Sequence, residues 1–474
     1  MAKSRTSALD RSTILALIAM AAGVFLIAND FVSLSVAIPV IEQEFNATLN
    51  RAQWVINGYT VVFGVLIVTG GRLADRFGRK RIFMIGSVIF AGFSVLGALA
   101  PNLGFLIGAR SLMGIGGALV WPAVLGMTYS ILPEDRAGLA GGLIIGVAGI
   151  GNALGPLLGG VLTDTVGWRS VFLLNLPITL IAMWIVGRAV PADTPEATDE
   201  GIDYLGIATL TAGVIAILVG LDSGTNVGFT DPGVLALFAV GVVLLVVFAM
   251  VEMRVGDSAV VPGSILKNGQ FVVACLAILL NSAIFFAAIV YLPQLMEKQL
   301  GYQPIGAGLG MLPMMIVFAL TSFVAGSLYN RLGAKLTVGL GSLALGGGML
   351  LLSTIDSSFD FASLIPGMVV LGLGVGLFYS AITTAAVTAL DPSQSSLAGG
   401  IAYMCQIAGG SLGLGFNTAI VLADSSFTSG VTTAFLLNGI LAFVTAAMAL
   451  VFIDGSGPLQ HPLHRRHRHR VHAP

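Results

Sequence analysis

The sequence predicts an all-α integral membrane protein of fourteen transmembrane helices, built as two six-helix bundles with two helices inserted between them. Three observations carry this. The chain of 474 residues is 56% hydrophobic and only 9% charged, whereas soluble domains carry roughly 25% charged residues. Its apolar runs are continuous over about 20 residues, the length of a spanning helix, and lack the alternation over about 10 residues that marks a membrane β-strand. A dense basic segment, GRLADRFGRKR at 71–81, returns in weaker form as GSLYNRLGAK at 326–335, which points to a duplicated chain.

The spans fall roughly at 13–41, 53–72, 82–100, 103–130, 137–164, 169–189, 203–222, 232–253, 270–297, 305–330, 335–355, 361–389, 395–423 and 432–453. The first is too long for a signal-peptide core and reads as a span. Short connections imply antiparallel neighbours, and an even number of spans puts both termini on one side. With that assignment eighteen of the 22 Lys and Arg share the side of the termini and of 71–81, against three on the other. Cytoplasmic loops carry such an excess, so both termini are expected in the cytoplasm of a bacterial cell membrane. The 62 glycines suit close helix contact in lipid. Cys275 and Cys405 both lie within spans; neither a disulfide framework nor metal-ligand spacing is indicated, and no cofactor is expected.

The repeat extends beyond the basic segment. AIPVIEQEF (37–45) resembles YLPQLMEKQ (291–299), GIGGAL (114–119) resembles GLGVGL (372–377), and Leu-Ala-Gly-Gly occurs at 139–142 and 397–400. One shift aligns them all, giving expected boundaries of 1–190 for a first bundle, 191–269 for a linker with two extra helices, and 270–455 for a second bundle. A basic cytoplasmic tail at 456–474 holds all five histidines; such a segment is expected to hug anionic lipid or to stay disordered, in preference to binding metal. The insert is apolar nearly all round, as in GIATLTAGVIAILVGL (206–221), and is expected outside both bundles.

At these motifs the chain resembles the major facilitator superfamily, in particular its fourteen-helix drug:proton antiporter branch. GRLADRFGRK resembles the signature between the second and third spans, LIGARSLMGIGGA (106–118) that of the fourth, and GNALGPLLGG (151–160) the antiporter signature of the fifth. NDFVSLSVAIP (29–39) and WRSVFLLNLP (168–177) are similar to branch patterns in the first and sixth spans. Met113 and Ser35 stand where those patterns carry Gln and Asn. The resemblance implies the major facilitator fold, alternating access, and proton-coupled export of small lipophilic compounds or drugs by a monomer. Narrower alternatives are export of one metabolite or self-made antibiotic, or a non-transporting sensor.

The residues give these expectations physical content. Asp30 and Arg110 are ionisable groups deep in spans, where charge is costly and tends to be functional. Burial raises a carboxylate pKa and a cation lowers it, so the pair suits proton coupling; the competing role is a purely structural tie. Gly71, Asp75, Arg76, Gly78, Arg79 and Lys80 form a candidate gating latch besides their topological role. Gly151, Gly155, Gly159 and Gly160 share a smooth helix face, with Pro156 among them, expected to seal the fifth span against the opposite bundle. Candidate cavity residues are Asn29, Tyr59, Trp121, Asn281, Phe285, Tyr379, Tyr403, Met404 and Gln406, an adaptable wall of aromatic, Met and amide groups. No nucleophile–base pair, phosphate loop or nucleic-acid patch appears in the sequence, so an enzyme is not expected. The partners expected are a small-molecule substrate, protons and the lipid bilayer.

Overall fold

A computed structural model describes residues 10–133, 136–191, 203–255, 259, 263–355, 358–424 and 426–453. The His-rich tail and most of the acidic link before the insert lie outside these residues. Helix α1 (Arg11–Ser33) begins where the Asp10 carboxylate accepts the Thr13 N–H, satisfying one of the unpaired first-turn amides. It is followed by α2 (Ile38–Glu44), α3 (Leu49–Phe77), α4 (Arg79–Ala98), α5 (Leu103–Ile131), α6 (Ala137–Thr165) and α7 (Arg169–Ala189). The insert supplies α8 (Tyr204–Val227) and α9 (Pro232–Val255). Then come α10 (Gly263–Leu266), α11 (Gly269–Leu300), α12 (Pro304–Gly310), α13 (Leu312–Ser353), α14 (Phe361–Thr388), α15 (Ser395–Ala423) and α16 (Phe427–Phe452).

Two differences from the sequence reading have local causes. The run 13–41 is not one span: the chain leaves α1 after Ser33 and re-enters as α2. Pro39 lies in the first turn of α2, and without an N–H it cannot continue a helix begun before it. Nor is 71–81 a loop. It is helical on both sides of a single residue, Gly78, at φ 96° and ψ 125°, a backbone region favoured by glycine. Its counterpart in the repeat, Gly333, stands at φ 81° and divides α13 into two spans.

Among the described residues twelve stretches are long and apolar enough to cross a membrane. One of them, Ile305–Ser353, holds two spans because of the break at Gly333. Helix α8 has 24 residues and reaches about 36 Å at 1.5 Å per residue. The total is the expected fourteen.

The duplication recurs in the packing. A Cβ added to Gly116 of α5 would lie 2.7 Å from the Gly86 carbonyl oxygen of α4, and one added to Gly374 of α14 would lie 2.9 Å from that of Gly341 in α13. Helices α1 and α3–α7 pack on one another, as do α11 and α13–α16. Helix α9 packs on α8, and α8 leans on α3 and α15, one helix from each half. Leu235, Val240, Val243 and Val246 of α9 point outward, the surface a lipid-facing helix presents. Deleting 203–253 removes an even number of spans. The shortened protein is expected to insert and keep partial activity, with a lowered melting temperature in detergent. Crosslinks from the insert into the space between the halves would contradict this peripheral role.

Candidate functional site

Asp30 of α1 and Arg110 of α5 form an ion pair, Nη1 to Oδ2 at 2.5 Å, with both side chains at 0% exposure. Three further helices hold it. Asn175 of α7 donates from Nδ2 to Asp30 Oδ1 at 3.0 Å and to Ser94 Oγ of α4 at 3.0 Å, and Ser94 donates to the Phe172 carbonyl at 2.8 Å. Arg110 Nε donates to the Val55 carbonyl of α3 at 3.0 Å. Met113 Sδ, where the family pattern has Gln, stands 3.5 Å from Nη1. The guanidinium lies 4.4 Å from the centroid of the Tyr59 ring. Its Nη2 has no acceptor, so the site is not a fully satisfied structural clasp. Sequence reasoning found the pair but gave Asn175 and Ser94 no role. The available signal was Asn175, two turns after Trp168 within WRSVFLLNLP.

Aromatic rings run from this pair toward the other half. Tyr59 stacks on Phe63 at 5.7 Å, Phe63 meets Tyr403 of α15 at 5.6 Å, and Tyr403 meets Trp121 of α5 at 4.5 Å. Trp121, Tyr379, Tyr403 and Gln406 line a central cleft between the halves, together with Ile144, Ile145, Ile278 and Thr383. The other sequence-chosen wall residues lie elsewhere. Phe285 packs behind the cleft on Tyr379, 5.8 Å between centroids. Tyr59 is fully buried beneath Arg110. Asn281 bonds Ser342 at 3.0 Å within the second half. Asn29 lies against α6, its backbone nitrogen 3.1 Å from where a Gly151 Cβ would be. Met404 is half-buried beside Tyr403 in sequence, outside the lining.

At the basic end the halves are joined. Asp75 of α3 accepts from the backbone N–H groups of Ser396 at 3.2 Å and Leu397 at 2.8 Å. Those amides open α15, where an anion meets the positive end of the helix dipole. Arg79 donates to Asp75 at 3.0 Å, to the Gly126 carbonyl at 3.1 Å and to the Pro392 carbonyl at 2.6 Å. Gly71 lets α3 approach, since a Cβ there would lie 2.6 Å from the Ser396 carbonyl oxygen. Lys80 turns into its own half, donating to the Gly187 and Val190 carbonyls at the end of α7, at 2.8 and 2.7 Å. Arg76 lies over the Phe77 ring, 5.5 Å from its centroid. The second copy of the motif repeats this contact without the charge. Gly326 meets Gly138 of α6, and Asn330, in the aspartate's place, reaches the same point.

The glycine face of α6 corrects the sequence reading. Gly151, Gly155 and Gly159 seat α6 on α1 of the same half: a Cβ at Gly151 would lie 2.9 Å from the Phe25 carbonyl oxygen, one at Gly155 3.0 Å from Val32 Cβ, and one at Gly159 2.9 Å from Ser33 Cα. Gly160 is looser, 3.7 Å from Val36, and Pro156 faces Gly308 of α12. The opposite half is met by another stripe. Gly142 abuts Ser322, Gly146 abuts Phe323 and Gly149 abuts Phe318, all on α13. At about 100° per residue, Gly149 and Gly151 face about 200° apart, so one glycine-rich sequence builds two seams.

At the far end from the basic motif, Glu44 of α2 accepts from Arg169 Nη2 at 2.7 Å and from Trp168 Nε1 at 2.7 Å. The Arg169 hydrogen bond, followed by that of Trp168, holds the Glu44 carboxyl below its ordinary range. A depressed carboxylate contributes stability above its unfolded pKa and loses it as pH falls. Below about pH 4.3, the ordinary glutamate value, the tie of α2 to α7 is expected to loosen. Trp168 fluorescence should change there, and Glu44→Gln should remove the transition. The tie is solvent-exposed, so the effect on total stability is small.

The family model described as Major Facilitator Superfamily matches residues 20–413 and 274–473. A puromycin resistance protein of Streptomyces alboniger is 30% identical over 462 residues, covering 92% of this chain and 91% of that protein. A methylenomycin A resistance protein of Bacillus subtilis is 30% identical, covering 92% and 94%. A tetracenomycin C resistance and export protein of Streptomyces glaucescens is 28% identical, covering 84% and 74%. The crystal structure of the human organic anion transporter MFSD10 overlays with a TM-score of 0.67 at 13% identity, over 92% of this chain and 99% of that one.

Proposed function

From the premise that this chain belongs to the major facilitator superfamily, as a multi-pass membrane transporter rather than an enzyme, we propose that it exports small lipophilic compounds from a bacterial cytoplasm in exchange for protons. In this reading the basic segments and both termini face the cytoplasm, as their charge bias favours. The two six-helix halves rock about the central cleft, and the protein works as a monomer. The conformation described is then closed toward the cytoplasm, with Asp75 and Arg79 as the latch. Asp30 takes a proton from outside, which weakens its bond to Arg110 and releases substrate there. It gives the proton up inside, resetting the site. Asp30 is the carboxylate paired with a fully buried cation deep in a span, and the reading takes one proton per cycle.

The observation that carries this reading is the unbroken line of rings from Arg110 through Tyr59, Phe63 and Tyr403 to Trp121. It gives a change in the ion pair a packed route to the cleft. A second reading, export of one dedicated compound, is favoured by relatives each named for a single antibiotic. Purified protein in proteoliposomes, with internal pH followed across a compound panel, tests both. Proton movement with many compounds supports the broad reading and movement with one supports the narrow. Transport without proton movement excludes antiport.

A further inference from the structure

The cleft has a chemistry of its own. Trp121 is 3% exposed and its Nε1 has no hydrogen-bond partner. An indole N–H can only donate, and native structures seldom leave such a donor buried and unpaired. Trp121 and Tyr403 come from opposite halves, their centroids 4.5 Å apart and their planes inclined by 50°. They form a wedge that a flat ring can enter as the halves part. Thr383 and Gln406 add a hydroxyl and an amide to the lining, and among the described residues that line the cleft none is an Asp, Glu, Lys, Arg or His. The nearby charges, Asp30 and Arg110, are paired and shut away at 0% exposure.

We propose that the cleft selects an uncharged, planar aromatic compound bearing a carbonyl, seated between Trp121 and Tyr403 with the carbonyl oxygen accepting from Trp121 Nε1. The proposal rests on the export reading of the cleft and names its substrate class. A carbonyl satisfies the orphaned donor. The two rings offer stacking faces. A permanent cation would enter a low-dielectric space with no carboxylate to face. Its one compensation is the face of the rings, which makes a planar cation the discriminating probe.

The test is equilibrium binding to purified, full-length protein in nanodiscs. The probes are 1,8-dihydroxyanthraquinone (neutral, with carbonyls), anthracene (neutral, without) and ethidium (a planar cation). The wild type is expected to bind the anthraquinone at least about tenfold more tightly than ethidium. Trp121→Phe keeps a smaller aromatic ring and removes the N–H. It should weaken the anthraquinone about tenfold more than anthracene, a difference of about 1.4 kcal/mol, since both lose the same stacking area. Melting temperature without ligand checks that the variant folds, and Gln406→Ala should cause a smaller loss if the amide makes a second contact. Ethidium binding as tight as the anthraquinone, no anthraquinone binding by the wild type, or equal losses for anthraquinone and anthracene in Trp121→Phe would each overturn the proposal. Ethidium moved by a pH gradient without anthraquinone binding would sink this substrate class and leave export standing. If no compound of the wider panel moves, export itself fails.

Discussion

Replacing Asp30 with asparagine is expected to abolish substrate accumulation driven by a pH gradient while leaving most of the folded protein in place. Asn has the shape of Asp and a carbonyl oxygen for Arg110 Nη1, but it does not titrate. The cost comes from leaving the guanidinium buried without its counter-ion, which for a broken buried pair is about 3–5 kcal/mol. The Val55 carbonyl and the Tyr59 ring still hold Arg110, so the loss should fall at the lower end and the yield should drop only in part. Arg110→Ala is expected to be worse for folding. It strands a carboxylate whose remaining hydrogen bond comes from Asn175. The double variant should recover part of the yield without recovering transport. Detergent-stable yield and pH-driven flux, measured on all three, separate coupling from structure. A purely structural pair predicts poor yield with normal coupling in whatever folds. If Asp30→Asn still concentrates substrate on a pH gradient alone, Asp30 is not the coupling group, and Asp222 and Glu252 become the carboxylates to test.

The second large effect is expected at the latch. Asp75 accepts from two α15 amides and from Arg79, and its side chain is only 9% exposed. Hydrogen bonds to a charged group contribute about 1.5–3 kcal/mol each. Asp75→Asn removes the charge but retains one acceptor, so a net loss of about 2 kcal/mol is reasonable, a roughly 30-fold shift toward separated ends. Spin labels at exposed Arg81 and Arg331, with Cys275 and Cys405 replaced by alanine, report the separation of the two halves at that end. The distance distribution is expected to broaden toward longer values while membrane insertion is unchanged, because four of the five cations of 72–81 remain beside the label at position 81. An unchanged distribution with normal flux would leave the segment a topological signal and nothing more.

Parts of this site are legible one residue at a time. A charged residue in a bilayer must find a partner, so Asp30 and Arg110 identify each other from a pattern of long apolar runs. Gly78 and Gly333 could be matched by the repeat before either showed its positive φ. Asn175 and Ser94 were harder, because single polar residues in spans are common and only proximity to Asp30 gives these two a role. The wall of the cleft was half legible. Trp121, Tyr379, Tyr403 and Gln406 face it, whereas Asn281 and Tyr59 are spent on contacts within their own halves.

The sequence by itself determined the class, the fourteen spans and the duplication, whereas the break between α1 and α2 came only with the structure. Hydrocarbon admits only long apolar segments with internally satisfied backbones, and proline and glycine act on the backbone where they stand. Which way each helix faces was decided by tertiary structure. In water a helix shows its buried side by an apolar stripe, but lipid and protein interior are both apolar, so the stripe carries little information. For that reason Gly151, Gly155 and Gly159 could not be told from Gly142, Gly146 and Gly149 in advance. The first set meets α1 and the second meets α13, and only the assembled helices separate a seam within one half from the seam between the two.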